Sequence, residues 1–206
     1  SPTGDGDVER TGPSLRSPPH TTGVRYSTLP RAHPCMTDSR RYEFEGTTPT
    51  IADSASVARD ATLVGDDRVG PDSSIWPGVV LRGDIGPVIV GGESHVGDNA
   101  VLHAARLGDR VMVGHGAVLN ETTVGDGSMI GFNSTVSDTH IGEGSIVAVG
   151  TVIPEGLDIP AESFARGAPA TVTPLSETTF DVEEAFEAYS SGDYSDLASR
   201  HTDLFD

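Results

Sequence analysis

From Ile51 onward one aliphatic residue returns every six positions: Ile51, Val57, Leu63, Val69, Ile75 and Leu81. After an interruption at RGDIGP (82–87) the series resumes as Val90, Val96 and Leu102. It then runs through Leu107, Val113, Leu119, Val124, Ile130, Val136, Ile141, Val147 and Ile153. Glycine directly follows Val69, Val90, Val96, Val113, Ile130 and Ile141. An amphipathic helix repeats at about 3.6 residues and a half-buried strand at about 2. Neither produces a beat of six with glycine behind the anchor. A hexapeptide period predicts an all-β fold, a parallel β-helix in which each six-residue run is one short strand and a corner.

Where the period shortens, it reports the shape of the coil. The steps from Leu102 to Leu107, Leu119 to Val124 and Val136 to Ile141 are five residues long, and they recur every seventeen positions. A shortened corner at that interval means three strands per turn, hence a triangular prism of about six coils stacked at roughly 4.8 Å. Val113, Ile130 and Val147 then share one interior column. The residues just after the third-column anchors, Arg82, His103, Asn120 and Ser137, line up along one edge.

The rest of the chain is less regular. Residues 1–35 are rich in Ser, Pro, Thr, Gly and Arg without hydrophobic period and read as a disordered extension. Residues 36–50 form a lead-in, with Met36 as a candidate natural start. The β-helix is expected over 51–160. Residues 161–206 supply an exit turn, a C-terminal α-helix and an acidic tail. Ser176 is the expected N-cap, and Phe180, Val182, Ala185, Phe186 and Tyr189 are the apolar face of that helix. The final stretch reads as a short second helix or a loose tail.

Composition narrows the function. The formal charge is −18, and all thirteen basic residues are arginine. Such a surface repels nucleic acid and anionic membranes, and it suits a soluble protein in a salt-rich cytoplasm. One cysteine, Cys35, leaves no intrachain disulfide or cysteine-based zinc site. No apolar run of about eighteen residues is present to span a bilayer.

Four histidines fall in the repeat: His95, His103, His115 and His140. His103 emerges at the third-column edge and His115 two residues after a second-column anchor. Where edges of different chains meet, such imidazoles can converge on Zn²⁺ or a similar divalent ion. His95 and His140 each immediately precede an anchor and read as hydrogen-bonding surface groups. The sequons at Asn120 and Asn133 read as turn residues, and the RGD string as part of the repeat's interruption.

The segment SIWPGVVLRGDIGPVIVGGESHVGDNAVLH, followed by VGHGAVLN, resembles the γ-class carbonic anhydrase family across roughly residues 45–190. The resemblance implies a left-handed β-helix, a homotrimer and a metal (Zn²⁺, Fe²⁺ or Co²⁺) at each subunit interface. The implied activity is hydration of CO₂ to bicarbonate. It implies further that Arg82 and Asp84 form a buried ion pair orienting the site, that Asp98 belongs to its catalytic machinery, and that His103 and a neighbouring subunit's His115 are metal ligands. The sequence departs from the family at two positions. Asn120 stands where a third ligand histidine is expected, and Gly97 where a glutamine precedes Asp98. An amide oxygen is a weak ligand for zinc, so metal binding and hydration are expected to be weakened or lost. The stretch Ala104–Arg106 after His103 carries no acid to export protons. Two alternatives share the architecture: a hexapeptide acyltransferase using acyl-CoA, disfavoured by the absence of lysine and the scarcity of arginine near the last coils, and a non-catalytic trimeric scaffold.

Overall fold

The computed structural model describes residues 40–179 and 194–205. Most strands are only two or three residues long, and they stack in parallel into a β-helix of about seven turns. The first face carries Ile51, Val69, Val90, Leu107, Val124 and Ile141 in direct register. The second carries Val57, Ile75, Val96, Val113, Ile130 and Val147. Leu63, Leu81, Leu102, Leu119, Val136 and Ile153 make the third. These anchors, Ile51 only partly, fill the prism as one buried column, each full burial of a Leu or Ile being worth about 1.5–3 kcal/mol. Val113, Ile130 and Val147 share an interior column, as the spacing predicts.

The coil runs past its expected end. Ile159 bridges Ile141, and Ser163–Gly167 pairs in parallel with Ile146–Val147, so that Ala165 lies over Val147. The expectation of about six coils ending near residue 160 is therefore corrected to about seven turns. Alanine at the last anchor did not register as part of an aliphatic series. The strand then folds back as Ala170–Pro174, antiparallel to Ser163–Gly167.

Corners are held by two devices. In the second-face corners buried hydroxyls cross from coil to coil: Ser73 donates to the Gly91 carbonyl at 2.6 Å, and Ser94 to that of Gly108 at 2.9 Å. In the short five-residue corners one residue turns left-handed, Ala104 (φ 50°), Glu121 (φ 51°) and Asp138 (φ 43°). The Glu121 amide donates to the His103 carbonyl at 2.8 Å and the Asp138 amide to that of Asn120 at 2.9 Å. Those bonds lock the edge residues of consecutive coils one above the other.

The RGDIGP interruption is a wide bulge rather than a break. Val80–Val90 is one strand paired with Thr62–Val69, in register up to Gly65↔Gly83 and again from Asp67↔Val88. Asp84 to Pro87 thus face only Asp66, and the surplus bows outward at the edge.

The expected helix bearing Phe180 to Tyr189 lies outside the described residues, as do residues 1–39. Ser176 does not cap an α-helix there. It sits inside a 3₁₀ turn, Leu175–Glu177, after which Thr178 returns to extended backbone, because Pro174 fixes the entry and no side chain caps the turn. The final stretch does form helix, Tyr194–Arg200 and Thr202–Phe205. Phe205 and His201 present edges to Trp76, with ring centroids 5.3 and 6.2 Å away.

Candidate functional site

Arg82, His103, Asn120 and Ser137 form one ladder on the third-face edge, each in register with the next. The bulge brings Asp84 back onto it. Arg82 donates to Asp84 Oδ2 at 2.5 Å, and His103 Nε2 lies 3.0 Å from Asp84 Oδ1. In the single chain this pair is a surface feature rather than a buried one, for the Arg82 side chain is 48% exposed. The guanidinium holds the Asp84 carboxyl below the usual range. Partial burial opposes that, and the His103 contact lowers it again.

Both nitrogens of His103 face oxygen, since Nδ1 stands 3.0 Å from Asn120 Oδ1. A carboxylate only accepts, so Nε2 carries a proton toward Asp84. Asn120 Nδ2 reaches Glu121 Oε1 at 3.3 Å, which orients the amide with its oxygen toward the ring.

His115 occupies a different corner, before the Val118–Asn120 strand that ends in Asn120. Its Nδ1 lies 2.7 Å from Asp98 Oδ2 and 2.9 Å from the Asp98 amide nitrogen. The two contacts make opposite demands. The backbone N–H can only donate, so Nδ1 offers it a lone pair, and the Asp98 carboxylate stands beside that contact.

Within one chain the described residues contain no group of three His, Cys, Asp or Glu able to hold a metal. His103 and Asn120 come together, and His115 does not join them. Each histidine nevertheless has one nitrogen fixed by an aspartate, His103 by the Asp84 carboxylate and His115 by the Asp98 amide, and the first is the arrangement that orients metal-bound imidazoles. His103 Nδ1 and Asn120 Oδ1 are 3.0 Å apart, close to the ~3.4 Å separating two ligands each about 2.1 Å from a tetrahedral ion. The donor set fits a divalent ion, though with one weak member.

His95 and His140 stay away from this edge. Trp76 Nε1 donates to Ser74 Oγ at 2.7 Å, and the same hydroxyl is hydrogen-bonded to His95 Nδ1 at 2.8 Å. His140 is exposed on the first face.

Two residues near the site escaped the sequence reading. Asp67 is fully buried inside the coil, bonded by the Val64 amide at 2.6 Å, and its Oδ1 has no hydrogen-bond partner among the described residues. Burial pushes its carboxyl up to about 7, with the charges of Asp66 and Asp84 adding to the shift against the amides of Val64 and Gly83. Alternation in Thr62–Val69, with Leu63, Gly65, Asp67 and Val69 inward, was the available signal. Phe132 stacks on His115, one coil on, at the seventeen-residue interval that had already ordered the edge.

The third face between these corners is an apolar ladder: Val80, Val101, Val118, Thr135 and Val152 stand in register. Val118 and Val152 are 37% and 38% exposed, and Ile85 at the tip of the bulge is 67% exposed.

Fold and edge together define a hexapeptide-repeat β-helix protein, and comparison with known proteins agrees. A hexapeptide transferase family protein from Anaplasma phagocytophilum superposes with a TM-score of 0.73 at 28% identity, covering 79% of this chain and 98% of that one. A Bacillus cereus structure described as a candidate acetyltransferase gives 0.71 at 32% identity, covering 78% and 95%. In sequence, the chain is 42% identical over 62 residues to a carbonic anhydrase of Geobacillus kaustophilus and 48% identical over 59 residues to a mitochondrial γ carbonic anhydrase of Arabidopsis thaliana. No family model matches. The chain is thus a hexapeptide-repeat β-helix protein that is similar to γ-class carbonic anhydrases over part of its length. Its matches span 30% and 29% of this chain and only 34% and 23% of those two curated relatives.

Proposed function

We propose that this protein is a γ-carbonic-anhydrase-like homotrimer that holds a divalent ion, Zn²⁺, Fe²⁺ or Co²⁺, weakly between subunits, and that hydrates CO₂ with reduced capacity. The observation that carries the reading is the pair of anchored imidazoles, His103 on the Asp84 carboxylate and His115 on the Asp98 amide with its carboxylate alongside. They lie at different corners of one apolar face. A second copy laid on the Val80–Val152 ladder buries that face and brings its own His115 toward His103 and Asn120.

His103, Asn120 and the neighbour's His115 would hold the ion. The chemistry a divalent ion supplies when bound is acidification of water, whose pKa it brings down to about 7. Asp84, itself fixed by Arg82, keeps the His103 proton on Nε2 and so directs Nδ1 to the ion. The Asp98 amide, donating to Nδ1, fixes the His115 ring. Ile85 and the valine ladder exclude bulk water from the rim. Gly97 offers no side-chain donor to orient the attacking oxygen, and Asn120 no imidazole. Both lower the expected activity.

The test is elemental analysis of the purified protein with CO₂ hydration measured on the same sample. Sub-stoichiometric metal with low, metal-dependent hydration is expected. A trimer that takes up neither Zn²⁺ nor Co²⁺ would overturn the metal reading and leave a scaffold. A second reading, acyl transfer, is supported by the transferase names of the two solved structures. Acetyl-CoA titration by calorimetry separates it, with no binding expected.

A further inference from the structure

The corner that presents His115 is built to hold its ring as well as one of its nitrogens. An imidazole tied only at Nδ1 to Asp98 can still swing about that bond, and the direction of Nε2 swings with it. Phe132, one coil further on, lies nearly flat against the ring, with centroids 5.0 Å apart and planes at 15°, within the range preferred by offset-stacked aromatic pairs. On the preceding coil Gly97 approaches from the other side. A Cβ at residue 97 would stand 2.8 Å from His115 Nδ1, 2.9 Å from its backbone nitrogen and 3.0 Å from the Val113 carbonyl oxygen. Any side chain there would claim the room that the ring now occupies.

We propose that Gly97 and Phe132 are paired positioning residues that seat the His115 ring between consecutive coils and so fix how the ring is presented to the neighbouring subunit. The inference rests on the reading of His115 as a shared metal ligand. It also gives the missing glutamine at residue 97 a physical counterpart. A Cβ at 97 would press on His115 Nδ1 and on the backbone of the same coil, so restoring the glutamine requires the ring and that backbone to shift together.

The experiment uses the full chain, labelled with ¹⁵N at histidine and freed of metal, at one fixed pH. Ring-nitrogen shifts and contacts between the His115 and Phe132 rings are read first, and Zn²⁺ affinity by calorimetry second. Wild type should show one His115 tautomer in contact with Phe132. Phe132→Leu, which keeps apolar bulk without a flat face, should average the two ring nitrogens and weaken Zn²⁺ binding at least fivefold, with melting temperature and oligomeric state nearly unchanged. Phe132→Tyr should restore both signals, and Gly97→Ala should move the His115 shifts as Phe132→Leu does. Unchanged ring shifts in Phe132→Leu would overturn the proposal. A wild type that binds no Zn²⁺ would instead sink the shared-site reading, while the ring shifts still decide whether the seat exists.

Discussion

Asn120 stands one coil beyond His103 on the same edge, its amide oxygen 3.0 Å from the ring's Nδ1. The contact ties up a nitrogen that a metal would need, with a partner that coordinates zinc poorly. Replacing the amide by imidazole, Asn120→His, leaves the buried anchor Leu119 untouched. Zinc affinity should rise at least tenfold, about 1.4 kcal/mol, read by competitive chelation. His115→Ala in the same background should abolish the gain. Unchanged metal content would mean that the three residues do not converge.

Asp84 serves two partners, Arg82 and His103. Asp84→Asn keeps the size but lets the His103 proton move to the other nitrogen. Loss of such an outer carboxylate typically costs 10- to 100-fold in metal affinity, and that range is expected here. Thermal stability should change little, because the pair lies at the surface. A Co²⁺ titration followed by absorption measures it.

Asp67 makes stability depend on pH in a direction unusual for an aspartate. Its folded pKa, about 7, lies above its ordinary value of 3.8, so the folded state holds a proton that the unfolded chain releases. This contribution is complete below about pH 4, falls as pH rises toward 7 and is gone above it. Roughly 4 kcal/mol is at stake over that window at about 1.36 kcal/mol per unit. Asp67→Asn should flatten this part of the profile, so that the difference between variant and wild type shifts in the variant's favour from pH 4 to pH 7. Parallel urea melts across that range would show it. Two profiles of identical slope would mean that Asp67 is not protonated in the fold.

Val118 projects from the third face, 37% exposed, next to the strand end that carries Asn120. Val118→Glu adds a charge where a second copy is proposed to dock, without touching the interior anchors. The expected outcome is dissociation to monomers with far-UV dichroism retained, seen by sedimentation in high salt, where the −18 charge is screened. A trimer that survives would place the interface elsewhere.

The fold was legible because a parallel coil stacks in register. Covalent spacing maps directly onto spatial neighbours, so a beat of six with fives at 102, 119 and 136 places His103 under Asn120 without further information. The same interval would have placed Asp98, His115 and Phe132 at one corner, had it been applied there. The last coil was missed for a different reason: Ala165 fills an anchor position but is too small to stand out in a pattern of Val, Ile and Leu.

What the sequence by itself determined is the prism, its columns and the edge on which Arg82, His103 and Asn120 meet, since all three follow from periodicity. Tertiary structure alone decided that the bulge returns Asp84 to His103, that Asp67 ends with an unpartnered oxygen in the interior, and that Gly97 leaves the space His115 fills. Those outcomes depend on side-chain direction, on a register shift within one long strand and on desolvation by packed neighbours. None of these is a property of spacing along the chain.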